Sequence, residues 1–335
     1  MDAAPPAESL RHVTHLEWAG VDWRQRGERL RGGDLVRVRR GWYADAATWR
    51  SWWSEDRHLA RVHAAHHAMR GSGGVFSHQS AAVLWGLPLY GGDPPTVHTT
   101  LRRGAHVRST APVQRHRTPL DEADIVEREG IACTSLSRTV LDAARTTRPE
   151  TAIALADAAF RLVAWSERER RYDLAADEVF RAGLRARIEQ MPGGRGIRQA
   201  RWIVDHADGR AQLPGESVSR LQLFRLGFRG IRLQVPVPGP HGRDYAVDFG
   251  LDEVAAWGEF DGRGKYLDPA MAGGRDPLEV LAAEKEREDW IRATTGRPMA
   301  RWDMPHIGTP ALLSRRLAVY GIRPPRHVPG RESAP

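Results

Sequence analysis

Lysine is almost absent from this chain. Of 50 basic residues 48 are arginine, and the two lysines, Lys265 and Lys285, both fall in the C-terminal third. Where a planar guanidinium has replaced the ammonium nearly everywhere, the two survivors mark positions that favour a compact point charge. Cysteine is scarcer still. A lone Cys133 cannot close an internal disulfide or build a thiolate metal cluster, which fits a reducing compartment and gives a cytoplasmic expectation. No apolar run approaches the ~20 residues that a membrane helix needs. No basic, apolar leader opens the chain either, so a soluble, unexported protein with no membrane partner is expected. The sequence has no glycine-rich phosphate loop of the Walker or dinucleotide type, which argues against a nucleotide cofactor, and it shows no internal repeat.

What is present is positive charge, unevenly spread. The formal net charge is +8, and residues 1–118 hold 17 arginines against 10 acidic residues. This favours a polyanionic partner, with a merely solvated basic surface as the alternative. A chain of 335 residues exceeds one ordinary core and predicts two or three compact units.

The first unit reads as a basic helix followed by a basic hairpin. Over Val21–Arg31 the apolar Val21, Trp23 and Leu30 leave a broad face of arginines, and Gly32-Gly33 ends the helix. Apolar and basic residues then alternate through Leu35-Val36-Arg37-Val38-Arg39, as on a half-buried strand, and Arg40-Gly41 makes the turn. That layout predicts a winged helix over 8–45 that binds DNA through Arg24, Arg26, Arg37, Arg39 and Arg40, the helix in the major groove and the wing along phosphates. A small helical cap with a solvated charged face is the plainer reading. Mixed helices and strands over 46–145, a helical connector over 146–207, an α/β domain over 213–322 and a disordered tail from 323 complete an α/β (α+β) multidomain expectation.

The densest chemistry lies in 213–322. A helix is expected after Pro214-Gly215, with Glu216 in its first turn and Val218, Leu221, Phe224 and Phe228 on its buried stripe. Strands follow at 231–237, 243–249 and 254–261. A hairpin centred between Glu253 and Val254 sets Asp248 opposite Glu259. Residues two apart share a strand face, so Glu259 and Asp261 point one way with Trp257, while Phe260 points the other. Like charges facing across a ladder destabilise it unless something compensates, and Mg²⁺ or Mn²⁺ would. The plainer reading of Glu259-Phe260-Asp261-Gly262 is a strand ending in an Asp-Gly turn. Asp276 and Pro277 predict the start of a further helix, whose run Glu284–Asp289 also reads as a solvated face with Lys285 paired to Asp289.

Two resemblances rest on these residues. Pro214-Gly215-Glu216, Val247-Asp248, Glu259-Phe260-Asp261-Gly262 with Lys265-Tyr266, and the Glu284–Asp289 helix followed by Gly296 and Arg301 resemble the very-short-patch-repair branch of the PD-(D/E)xK endonucleases. The resemblance implies a restriction-endonuclease-like C-terminal domain, with Asp248 and Glu259 as metal-binding acids, Glu216 as the helix acid and Mg²⁺ or Mn²⁺ as cofactor. The chain departs from the family at the usual Glu-x-Lys, where Asp261 replaces the water-orienting lysine, and Lys265 or Lys285 would have to substitute. The first half, through Leu35–Ala44, Ser77–Ala82, Trp85-Gly86-Leu87-Pro88, Val97-His98 and Thr134–Asp142, resembles the AbiEi antitoxins of type IV toxin-antitoxin systems. That resemblance implies an operon-repressing winged helix and a nucleotidyltransferase toxin as partner.

Two other groupings carry less. His63, His66 and His67 fall one turn apart on an expected helix and suit a transition metal, but no acid or cysteine stands beside them. Ser77-His78 with Ser80 reads as a capped helix start rather than a hydrolytic pair.

Overall fold

The computed structural model describes residues 6–69, 74–102, 112–262, 277–325 and 334–335. The fold is mixed α/β, and the chain divides into two compact units, 1–155 with 193–196 and 156–192 with 197–335. The division falls inside helix 149–164. The helices expected as a connector over 146–207 fall largely in the second unit. Among the described residues no helix is long and apolar enough to cross a membrane.

The first unit opens with α1 (Pro6–Ser9), β1 (Arg11–His12), α2 (Val13–Trp18), α3 (Trp23–Gly32), β2 (Leu35–Arg39) and β3 (Trp42–Asp45), the strands ordered β1-β3-β2. Local chemistry sets both ends of α3. The Asp22 carboxylate accepts the Arg24 and Gln25 amides at 2.7 and 2.9 Å, and the Gln25 side chain accepts the Asp22 amide in return. Gly33 closes the helix at φ 79°, a left-handed position that glycine adopts without steric cost. Gly41 turns the β2–β3 hairpin at φ 81°. Leu16, Leu35 and Tyr43, with Val13, Val21 and Leu30 against them, form the small core beneath. Trp23 is not part of it; it stands 68% exposed, contrary to the helical stripe expected from its spacing.

A second cluster of Leu10, Ala44, Trp52, Ala60 and Ala64 joins this sheet to α5 (Ser54–Ala68), which follows the short α4 (Ala46–Ser51). Beyond it run β4 (Gly74–Phe76), α6 (His78–Leu84), β5 (Val97–Leu101), β6 (Val113–His116), β7 (Ile125–Arg128), β8 (Ile131–Thr134) and α7 (Leu136–Thr146). The sheet order is β6-β5-β4-β8-β7, with β4 antiparallel to β5 and parallel to β8. The Thr134–Asp142 motif explains itself here. Ser135 caps α7, the Thr134 and Thr139 hydroxyls meet at 2.7 Å, and Arg138 clasps Asp142 one turn on at 3.0 Å.

The second unit takes in most of α8 (Pro149–Ala164), then the two-residue strands β9 (Trp165–Ser166) and β10 (Arg171–Tyr172), α9 (Leu174–Glu189) and α10 (Ile197–His206). Its main sheet follows as α11 (Pro214–Arg225), β11 (Ile231–Pro238), β12 (Asp244–Leu251), β13 (Ala256–Phe260), α12 (Pro277–Thr295), β14 (Met299–Trp302) and α13 (Pro310–Val319). The strand order is β11-β12-β13-β14. The first two pairings are antiparallel; the last is parallel, as the crossover through α12 requires. One face of this sheet buries Val235, Val237, Val247 and Trp257 with Met299 and Ile291 of α12.

Helix α11 is not amphipathic. Every residue from Gly215 to Leu223 is buried, Glu216, Arg220 and Gln222 included. Close approach is enforced by two glycines: a Cβ on Gly215 would lie 2.1 Å from the Phe260 ring, and one on Gly258 would lie 2.2 Å from the Trp302 ring. Phe224 and Phe228 extend the expected stripe, but the helix ends at Arg225, and Phe228 is buried from the loop beyond it.

His58 of α5 is fully buried and fully satisfied. A carbonyl only accepts, so Nδ1–H donates to the Pro94 carbonyl at 2.9 Å, leaving Nε2 to accept from Ser80 Oγ at 2.9 Å. Ser80 Oγ in turn accepts the His98 amide at 2.9 Å. Burial pushes the His58 pKa down to about 4. A histidine held neutral in the fold stabilises it fully above the unfolded value near 6.5 and loses that contribution as pH falls toward 4. The expected loss is about 3 kcal/mol, at 1.36 kcal/mol per unit. Urea unfolding at pH 7 and pH 4.5 should show a clearly shallower acid decline for His58→Gln than for the parent; equal declines would contradict the assignment.

Candidate functional site

Asp248, Glu259 and Asp261, three of the acids expected to converge, line one cleft of the second unit. The β12–β13 ladder runs Leu251↔Ala256, Gly250↔Trp257 and Phe249↔Gly258, and Asp248 and Glu259 each follow its last pair. The amide of Phe260 donates to Asp248 Oδ2 at 3.0 Å. Glu259 shares its side of the sheet with Trp257, which packs on α12, while the Phe260 ring meets α11 at Gly215, as strand alternation predicts. A cavity of about 780 Å³ opens over these residues.

Glu216 reaches the same cluster from α11. Its Oε2 accepts the Gln212 amide at 2.9 Å, and the Gln234 amide group donates to both Glu216 and Asp248 at 3.4 and 3.2 Å. Gln234 is placed there by a kink. Its φ is 49°, and the β11–β12 ladder passes from Leu233↔Phe249 to Val235↔Val247 around it. A non-glycine residue in the left-handed region costs about 1–3 kcal/mol and persists where the surroundings over-determine it.

Arginine, not lysine, answers the acids. Arg287 of α12 donates through Nη2 to both oxygens of Glu259 at 2.5 and 2.6 Å and also binds Glu284. Arg301 of β14 grips Asp261 through Nη2 and Nε at 2.5 and 3.2 Å, and its Nη1 reaches Glu284 and Glu288 at 3.0 and 3.1 Å. Register explains the second contact, because β13 and β14 pair Glu259 with Arg301 directly. Burial raises the pKa of Glu259, and Asp248 and Glu284 add to it, against the opposing pull of Arg287. Burial also acts to raise that of Glu284, but Arg287 and Arg301 outweigh it and hold it below the ordinary value.

The balance remains acidic. The cleft is lined by Asp248, Glu259, Asp261, Glu284 and Glu286 against Arg243, Arg287 and Arg301. An all-oxygen donor set with excess negative charge is what a hard divalent cation takes. Asp248, whose described contacts are both with neutral donors, keeps lone pairs to offer.

Of the lysines expected to serve here, Lys285 is exposed on α12 and does not line the cleft, and Lys265 lies outside the described residues, as do Tyr266 and Asp276. Sequence reasoning quoted Arg287 and Arg301 only as parts of a resemblance and missed Gln234 altogether. The one available signal was strand spacing, since Arg301 falls on the strand that would pair in parallel with Glu259.

In the first unit, the five arginines expected on DNA separate into two groups. Arg24, Arg37 and Arg40 are exposed. Arg26 turns inward, 3.7 Å from Glu17 and over the Tyr43 ring, and Arg39 is half-buried, with burial and Arg115 lowering its pKa. Among the helical histidines, His67 stacks on Trp42, His66 lies against Phe76 and His63 faces Glu129 at 3.5 Å, so the three do not converge.

No protein-family model matches the chain. It is similar to the uncharacterized proteins MT2308 and Rv2248 of two strains of Mycobacterium tuberculosis, each 27% identical over 241 residues, or 72% of this chain and 79% of theirs.

Proposed function

We propose that this is a DNA-binding protein whose C-terminal cleft is a divalent-metal-dependent endonuclease site. The observation that carries the reading is that Asp248 and Glu259, from paired strands, line a cavity where acids outnumber bases, with Glu216 of a buried helix joined to Asp248 through Gln234. These are the elements to which the PD-(D/E)xK resemblance assigns its acids. Asp248 and Glu259, with Glu216 behind them, would hold Mg²⁺ or Mn²⁺. Such an ion, when bound, supplies an activated water and neutralises charge that develops on a phosphodiester. The chain's own groups do the rest. Gln234 orients Asp248 and Glu216 toward each other, and Arg287 fixes both oxygens of Glu259. Arg287 and Arg301 also line the cleft, so they offer a phosphate the positive charge that a lysine at 261 would otherwise bring.

One observation favours a second reading, a non-catalytic transcriptional regulator or antitoxin that neutralises a nucleotidyltransferase toxin. Asp261 stands in the lysine position and is itself gripped by Arg301, while Arg287 already balances Glu259. The cleft would then be a scaffold, and the winged helix would carry the function.

Two measurements separate the readings. Supercoiled and linear duplex incubated with the full chain and Mn²⁺ should be cut, and since changes one shell away from a metal cost about 10–100-fold, Asp248→Asn should lower the rate by at least about 100-fold. Intact DNA of every form with either metal would rule out the enzymatic reading. For the basic helix and hairpin of the first unit, Arg24→Ala, Arg37→Ala and Arg40→Ala should each weaken duplex binding and reduce the slope of log affinity against log salt by about 1. Unchanged affinity and slope would exclude this surface from DNA.

A further inference from the structure

A second set of convergent side chains lies in the first unit and belongs to neither reading above. His98 is on β5 and His116 on β6, which pair in parallel with His98 opposite Gln114 and His116 opposite Thr100. His116 thus sits one alternation along from His98, and both rings rise from one face of the sheet. Their ring nitrogens, His98 Nδ1 and His116 Nε2, are 2.9 Å apart. His78 completes the group from the first residue of α6, held at φ 55°. One ring nitrogen from each histidine lies within 4.8 Å of the other two. They border a cavity of about 460 Å³ that Gln79, Gln114, Arg145 and Thr147 also line.

We propose that His78, His98 and His116 form a three-histidine site for a borderline divalent transition metal, Zn²⁺ foremost, with its fourth position open to this cavity. The donor set decides the class of ion, because imidazole nitrogens suit zinc, cobalt and nickel and not magnesium or calcium. Three protein ligands with one free position is the arrangement of zinc sites that exchange a water or substrate. His98 Nδ1 and His116 Nε2 share a hydrogen bond at 2.9 Å, and opening it to about 3.3 Å would set both nitrogens as ligands at 2.0–2.1 Å in a tetrahedral shell. The second sphere is built as well. His78 Nδ1 lies 3.0 Å from Ser77 Oγ and 3.9 Å from the buried carboxylate of Asp142, which leaves Nε2 for the ion, the hydroxyl or carboxylate fixing its tautomer. Arg138 holds Asp142 in place from the same helix.

The protein environment prepares the rings as ligands. Burial, reinforced by the neighbouring imidazoles, pushes the pKa of His78 down to about 2 and that of His98 to about 4, and burial lowers His116 as well. Binding asks two adjustments: the ring proton shared by His98 and His116 moves to the outer nitrogen of its ring, and His78, which stacks face to face on His116 at 3.9 Å, turns its edge toward the ion.

The test uses the full-length, tag-free chain stripped with chelator and titrated with Co²⁺, then with Zn²⁺. One equivalent of Co²⁺ should give d–d absorption of tetrahedral intensity, bleached by one equivalent of Zn²⁺, and Zn²⁺ should raise the Tm. His98→Ala and the milder His116→Gln, with far-UV circular dichroism confirming that they fold, should abolish the spectrum or weaken Zn²⁺ binding by at least about tenfold. Asp248→Asn should leave both unchanged, which separates this site from the carboxylate cleft. A parent protein without the Co²⁺ spectrum, or a spectrum that persists undiminished in folded His116→Gln, would overturn the proposal.

Discussion

Helix α11 is buried on every side, and that single constraint organises the second unit. A helix with no solvent face has nowhere to discharge its polar side chains, so each must be met within the protein. Arg220 is met by Asp157, with two contacts of 2.7 Å between side chains that are both almost wholly buried. Burial pushes Asp157 upward in pKa while Arg220 pulls it back. Removing one member of such a pair strands the other and costs about 3–5 kcal/mol. The pair therefore ties α8 to α11 across a long stretch of sequence. Gln222 reaches the Ile307 carbonyl at 3.0 Å, and Ser219 takes the Trp302 indole at 2.8 Å. Only Glu216 faces the carboxylate cluster, carried there by the packing that satisfies its neighbours.

The cleft is governed by a related rule, compensation of like charge. Asp248 and Glu259 lie just beyond the last pair of the β12–β13 ladder, close enough for Asp248 to raise the pKa of Glu259, and such repulsion calls for nearby positive charge. Arg287 and Arg301 provide it from α12 and β14, each through more than one carboxylate, and neither neutralises the whole group. The remaining acid excess is the part of the site suited to a cation. Near-total use of arginine has a visible consequence here. A planar fork can bridge Glu259 with Glu284, or Asp261 with Glu288, in a way that a lysine point charge does not match.

What could be read in advance was what local chemistry determines. The helix end at Gly32-Gly33, the turn at Gly41, the start at Pro277 and the centre of the β12–β13 hairpin all follow from neighbours a few residues apart. What could not be read depends on residues brought together from afar. The kink at Gln234 has no marker in its flanking residues, and the exposed Trp23 obeys helical spacing yet lies where no partner covers it. The three histidines of the first unit come from a helix and two strands, so their convergence exists only once β5 and β6 pair. The unit boundary within α8 escaped for the same reason, since the helix is continuous and only its contacts change.

The claim at the centre of this account is that the carboxylate cleft holds a hard divalent cation. Calorimetric titration of the full chain with Mg²⁺ and Mn²⁺ beside Asp248→Ala and His98→Ala tests it most directly. The account predicts binding in the parent and in His98→Ala, with loss in Asp248→Ala. Indistinguishable heats in the parent and Asp248→Ala would contradict it.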